Sequence, residues 1–175
     1  SNTHKILSMG YNGFPTGCSD DDFPWAREGG TLDTKCSLCG VVEALETLRA
    51  AGYRLWLLTN AQRVFTAYEL RSLGLGDQLD GVYISSDYGC RKPDARFYQA
   101  LIEEKGLNVS RCLMIGNDRE TDIAGAKNAG IDTLYMHTNL TPPDQRCADP
   151  ALQTASHYEY EGYDWKELCE IICNL

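Results

Sequence analysis

Apolar positions along this chain alternate between two spacings. Arg54-Leu-Trp-Leu-Leu58, Val82-Tyr-Ile-Ser85, Cys112-Leu-Met-Ile115 and Asp132-Thr-Leu-Tyr-Met136 are short, nearly continuous apolar runs. A strand with one wet face would alternate, so these runs predict strands covered on both faces. Helical spacing lies between them. Val41, Leu45 and Leu48 recur until Gly52, a second helix runs from Gln62 to Leu73 and closes at Gly74, and a third carries Phe97, Leu101 and Ile102 inward until Gly106. Pro93 is expected in the first turn of that third helix. A fourth follows Asp122 and ends at Gly130. Lys5-Ile-Leu-Ser-Met-Gly10 predicts a short first strand, and Ser156 to Tyr160 a weak last one. Asp164-Trp-Lys-Glu167 has the form of a capping box and opens a terminal helix with Trp165, Leu168, Ile171 and Ile172 facing inward. Regular strand–helix alternation predicts an α/β fold, a parallel sheet with helices on both faces that takes its ligands beyond the carboxyl ends of the strands.

Three stretches have neither period. Residues 14 to 37, including Asp20-Asp-Asp22, are long for a structureless connection and are read as functional, mobile or displaced. Residues 86 to 91 and 138 to 154 read as surface loops.

Composition narrows the partners. With 175 residues, 43% of them hydrophobic, the chain can bury one real core, and a formal net charge of −9 opposes nucleic acid backbones and anionic membranes. An anionic substrate would need local positive charge. No apolar run approaches the ~20 residues of a membrane span, and the expected location is cytoplasmic. The eight cysteines are scattered and read as reduced thiols. Cys36-Ser-Leu-Cys39 has the spacing of half a zinc site, but no second pair completes it.

The chemistry concentrates in Leu113-Met-Ile-Gly-Asn-Asp-Arg-Glu-Thr-Asp122. A buried strand here delivers Asp118 and Asp122 to the sheet edge, four positions apart, where a strand gives way to a helix. Both can reach one point, and converging hard oxygen ligands suit Mg²⁺. An aspartate at a helix start also caps backbone N–H groups with no metal present.

Thr59 at the end of one strand, Lys92 within Arg91-Lys-Pro-Asp94, and Asp118 with Asp122 after a third strand together resemble the haloacid dehalogenase (HAD) superfamily over about residues 40 to 173. The resemblance implies a HAD-like Rossmannoid fold and a Mg²⁺-dependent phosphohydrolase site for a small phosphorylated molecule. By the same resemblance Thr59 holds a phosphoryl oxygen, Asn60 beside it lies in the substrate site, Lys92 steadies nucleophile and phosphate, and Asp118 and Asp122 bind the metal. Few residues separate the first strand from the first helix, so the cap is expected to be small or absent. The family's nucleophile motif, Asp-x-Asp-Gly-Thr after the first strand, is missing. Gly10 falls where the attacking aspartate belongs and Asn12 where the general acid/base belongs. Neither Asp20-Asp-Asp22 nor Asp33 follows an apolar strand that would hold it rigidly. Impaired turnover is expected, with a non-catalytic phosphate- and metal-binding remnant as the alternative.

Residues 4 to 35 carry a second resemblance. Gly10-Tyr-Asn-Gly-Phe-Pro-Thr-Gly-Cys-Ser-Asp-Asp-Asp22, Pro24-Trp25 and Leu32-Asp-Thr-Lys35 look like deoxycytidylate deaminase, in which the asparagine matching Asn12 lies in the nucleotide-binding loop. The zinc motifs of that family are absent; Cys39-Gly-Val-Val-Glu43 has no histidine, and Glu43 falls inside a helix. The chain is therefore divided into a deaminase-like strand and loop over 1–38 and a HAD-like core over 39–175. The first segment is expected to lend the core its central strand, with residues 5 to 9 pairing between the strands that end at Thr59 and Ile115.

Overall fold

The computed structural model describes residues 4–7, 40–72, 74–137, 154–162 and 164–175. The strands are β1 (His4–Leu7), β2 (Arg54–Thr59), β3 (Gly81–Ile84), β4 (Cys112–Gly116), β5 (Asp132–His137) and β6 (Tyr158–Glu161). They form one six-stranded sheet in the order β3-β2-β1-β4-β5-β6, and every pairing is parallel. β1 is central: Lys5, Ile6 and Leu7 lie opposite Leu55, Trp56 and Leu57 on one side and Leu113, Met114 and Ile115 on the other. The expected pairing of residues 5 to 9 is seen over 5 to 7, and positions 8 and 9 lie outside the described residues.

Two cores sit on the two faces of this sheet. Leu55 and Leu57 of β2 and Leu113 and Ile115 of β4 join a cluster with Ala44, Leu45, Leu48, Leu168 and Ile172. Those partners come from α1 (Val41–Ala50) and α6 (Trp165–Asn174). The alternate residues Trp56, Leu58, Cys112 and Met114 join Phe97, Tyr98, Leu101 and Ala126 instead, from α4 (Ala95–Lys105) and α5 (Gly125–Asn128). Side chains of one strand point alternately to opposite faces, so burying both sets requires the continuous apolar runs seen in the sequence. α6 is capped by Asp164, which accepts from the Lys166 and Glu167 amides at 2.9 and 3.2 Å.

Four local details differ from the sequence reading. Ser85–Tyr88, expected as strand end and loop, is a short helix, α3, closed by Gly89 at φ 64°. Pro93 lies outside α4, because Asp94 takes the cap position and accepts from the Arg96 amide at 2.9 Å. β6 begins at Tyr158 rather than Ser156. The helix after Asp118 opens as a π-turn, Arg119–Ala124, before α5. α2 (Arg63–Ser72) lies within the expected range. The expected cap and the division at residue 38 fall among residues 8 to 39, outside the described ones. Among the described residues no helix is long and apolar enough to cross a membrane. Cys90, Cys169 and Cys173 are free thiols, and burial pushes the Cys169 thiol up to about 11.

Leu101 is fully buried whereas Val64 on α2 is 78% exposed. Leu101→Ala should cost about 2–5 kcal/mol of stability through lost burial and a residual cavity, and Val64→Ala less than about 0.5 kcal/mol. Urea unfolding of the two variants beside the parent measures both, and equal losses would contradict the assigned core.

Candidate functional site

Parallel strands bring the ends of β2 and β4 to one edge of the sheet, and the loop before α4 meets them there. Thr59 is the last residue of β2 and is 2% exposed. Its Oγ1 accepts from the Ala61 amide at 3.2 Å, which turns the chain out of the strand. Asn60 reaches across to the Lys92 loop with both ends of its amide. Its Oδ1 accepts from the Lys92 N–H at 2.8 Å, and its Nδ2 donates to the Lys92 carbonyl at 3.0 Å. A second tie runs from Ser85 Oγ at the start of α3 to the Ala61 carbonyl, 3.3 Å away.

Held by its backbone, Lys92 buries its side chain to 2% exposure and donates from Nζ to Asp122 Oδ1 at 2.7 Å. Asp122 is fully buried. Its Oδ2 accepts from the Asn117 and Asp118 amides at 3.1 and 3.2 Å. Gly116 makes room for this: a Cβ there would lie 2.4 Å from Asp122 Oδ2 and 2.6 Å from its carboxyl carbon. Because Asp122 is fixed by a lysine and two amides, that glycine could not be replaced without moving the pair.

Asp118 caps the π-turn, its Oδ1 accepting from the Glu120 and Thr121 amides, each at 2.9 Å. Its carbonyl accepts from both Asp122 N, at 2.9 Å, and Ile123 N, at 3.1 Å. The second bond is the i→i+5 contact that widens a helix into a π-turn, a feature frequent at functional sites. From α4, the Tyr98 hydroxyl donates to the Thr121 carbonyl. Burial, with the charges of Asp122 and Asp118 nearby, pushes its phenol well above the ordinary value, so it stays a donor.

The structure thus links Asn60, Lys92, Asp122 and Asp118 through direct contacts and sets Thr59 beside them at the end of β2. Asn12 lies outside the described residues. The capping role raised for Asp118 from sequence is what its Oδ1 performs. The sequence reading missed Gly116, Tyr98 and the Asn60 clasp as parts of the arrangement. Gly116 stood inside the motif, but its reason is a tertiary contact; Tyr98 carried no signal beyond helical spacing. Among the described residues no three His, Cys, Asp or Glu side chains cluster to hold a metal ion. The local donors are nevertheless hard oxygens: two carboxylates, one shared with a lysine. This suits a cation such as Mg²⁺ that takes one or two protein carboxylates and completes its shell with water and substrate oxygen.

Comparison with known proteins supplies the family. The haloacid dehalogenase-like hydrolase model matches residues 30–130. The chain is 31% identical over 117 residues to a glyceraldehyde 3-phosphate phosphatase of Methanothermobacter thermautotrophicus, covering 67% of this chain and 47% of that protein. It is 28% identical over 151 residues to the pyrimidine 5'-nucleotidase PynA of Streptococcus pneumoniae, covering 86% and 57%. YfnB of Bacillus subtilis, a HAD-hydrolase whose structure was solved bound to magnesium, superposes with a TM-score of 0.65 at 24% identity, over 77% of this chain and 55% of that one. The chain therefore spans about half the length of the curated relatives it matches. These matches lend no support to the deaminase resemblance of residues 4 to 35.

Lys92→Met leaves the Asp122 carboxylate buried without its cation and should cost about 3–5 kcal/mol. Adding Asp122→Asn removes the stranded charge and should return part of that loss. Urea unfolding at pH 7 reads both changes, and a single variant as stable as the parent would contradict the buried pair.

Proposed function

The chain belongs to the haloacid dehalogenase-like hydrolases, and from that premise we propose a Mg²⁺-dependent phosphatase-type site for a small phosphorylated metabolite, impaired in turnover. The reading is carried by one observation: the buried Lys92–Asp122 pair lies at the strand ends, clasped by Asn60 and adjoining Asp118. In it Thr59 and Lys92 are the catalytic residues, Thr59, Asn60, Lys92 and Asn12 receive the substrate, and Asp118 and Asp122 bind the metal. Two of the relatives are a glyceraldehyde 3-phosphate phosphatase and a pyrimidine 5'-nucleotidase by name, which supports a small phosphorylated substrate. The net charge of −9 speaks against nucleic acid and membrane partners.

Charge decides what the site requires. Asp122 offsets the Lys92 ammonium and Asp118 adds a further carboxylate, so a phosphate approaching these residues alone meets net repulsion. Magnesium, when bound, supplies the charge neutralisation and fixed oxygen geometry that phosphoryl transfer needs. The Thr59 hydroxyl can then hold one phosphoryl oxygen, and Lys92, locked at its backbone by Asn60, offers a cation that does not wander.

Attack on phosphorus is the weak part. Residues 1–38 are assigned as the segment that supplies the central strand to the core of 39–175. β1 runs parallel to β2 and β4, so its carboxyl end faces the edge where Thr59 and Asp118 stand. Gly10 follows Leu7 closely but has no side chain to attack with, and the Asn12 amide carries neither charge nor transferable proton near neutral pH. No aspartyl-phosphate forms, and catalysis falls to poorly oriented water. The second reading, a binding remnant without turnover, rests on the same absence; a deaminase would require stoichiometric zinc.

Weak Mg²⁺ binding and little turnover of p-nitrophenyl phosphate are expected of the parent. Gly10→Asp with Asn12→Asp should raise Mg²⁺-dependent turnover at least about tenfold, since a positioned nucleophile is worth far more than free water. Parent turnover typical of active phosphatases that survives Asp20→Asn, Asp22→Asn and Asp33→Asn together would sink this reading. No gain in the double variant, with phosphate and Mg²⁺ still bound, would leave the binding remnant in its place.

A further inference from the structure

Arg119 follows Asp118 directly and is the first residue of the π-turn, and its side chain reaches β5, β6 and the segment just before β6. Its guanidinium lies over the Tyr135 ring of β5, 3.9 Å from the centroid. Nη1 donates to the Thr154 carbonyl at 3.2 Å, and Nη2 to Glu159 Oε1 of β6 at 3.0 Å. Only 11% of the side chain is exposed. Glu159 is itself held: Oε1 accepts from Ser156 Oγ at 3.0 Å, and Oε2 lies 2.8 Å from His137 Nε2. The His137 ring in turn meets Tyr135 edge-on at 4.7 Å. Partial burial works against ionisation of Glu159, but hydrogen bonds from His137, Arg119 and Ser156 hold its carboxyl below the usual range.

We propose that Arg119 is a positioning residue that fastens the Asp118 turn to β5 and β6, so that the placement of the Asp118 carboxylate depends on a brace outside the site. This rests on the reading of Asp118 as a metal-binding carboxylate. The mechanical link is short. Asp118 Oδ1 is aimed by the Glu120 and Thr121 amides, which follow Arg119 immediately, so any shift of Arg119 moves the groups that orient the carboxylate. The brace uses properties lysine lacks: a flat cation that stacks on an aromatic face while donating along two edges. Loss of a residue that orients a ligand from behind it typically weakens metal binding by about 10- to 100-fold.

The test uses the full chain as parent, Arg119→Met, Arg119→Lys and Glu159→Gln, each shown to be folded by circular dichroism. Mg²⁺ titration by calorimetry should give at least about tenfold weaker binding in both Arg119 variants, as expected for loss of an outer-shell support, and a smaller loss in Glu159→Gln. Amide hydrogen exchange without Mg²⁺ should quicken selectively at Glu120 and Thr121 while Leu101 keeps the parent rate. A role in stability alone would speed all amides together and leave the affinity of the folded protein unchanged, which overturns the proposal. Full rescue by Arg119→Lys also overturns it. If the parent binds no Mg²⁺, the cation reading of the site fails by itself. Exchange then decides: selective opening at Glu120 and Thr121 supports the brace, and parent-like or uniformly raised rates refute it.

Discussion

An ammonium and a carboxylate, both almost wholly removed from water, face each other across 2.7 Å between Lys92 and Asp122. Each would cost several kcal/mol to bury alone, and attraction offsets this only when geometry and the remaining hydrogen bonds are good. The surroundings meet that condition. Two backbone amides take the second carboxylate oxygen, Gly116 leaves the space for it, and Asn60 fixes the lysine's own backbone from both sides. Segments far apart in sequence thus share one constraint: the end of β2, the loop before α4 and the π-turn after β4 cannot move independently. A buried pair is often no better for stability than apolar residues of the same volume. Its place at the carboxyl ends of parallel strands, where such sheets bind ligands, therefore supports the functional reading more than any stability argument.

β1 gives this arrangement its centre. It pairs with both β2 and β4 along His4–Leu7, so removing it would leave two inner edges with unpaired backbone groups. The proposal for Gly10 and Asn12 depends on that position, because β1 has its carboxyl end at the same edge of the sheet as β2 and β4. The acidic surroundings add a second constraint. In a chain of net charge −9, a buried lysine already committed to Asp122 is a modest attraction for phosphate, and the proposed divalent cation would supply the missing positive charge.

Much of the fold is legible in the sequence. β2 and β4 are buried on both faces, and continuous apolar runs such as Leu55–Leu58 have few other uses in a chain of this length. Thr59, Lys92, Asp118 and Asp122 are legible as a set through the family resemblance of their order and spacing, each following or facing an expected strand end. What stayed hidden is tertiary. The π-turn adds one residue to a helix whose apolar spacing still looks ordinary, and short polar segments such as Ser85–Tyr88 carry too few residues to show a period. The Asn60 clasp and the Arg119 brace depend on residues 32 and 40 positions away. No local pattern records such partners. Pro93 was misplaced because Asp94, a stronger cap, follows it and claims the helix start.

The central claim is that Thr59, Asn60, Lys92, Asp118 and Asp122 form one pocket for a cation and a phosphate. Backbone amide resonances of the parent followed during titration with Mg²⁺, and then with inorganic phosphate in the presence of Mg²⁺, test it most directly. Shifts confined to those five residues and their immediate neighbours, fitting one dissociation constant for each addition, are the expected result. Shifts that arise elsewhere, or that differ in midpoint between Thr59 and Asp118, would show that these residues do not act as one site.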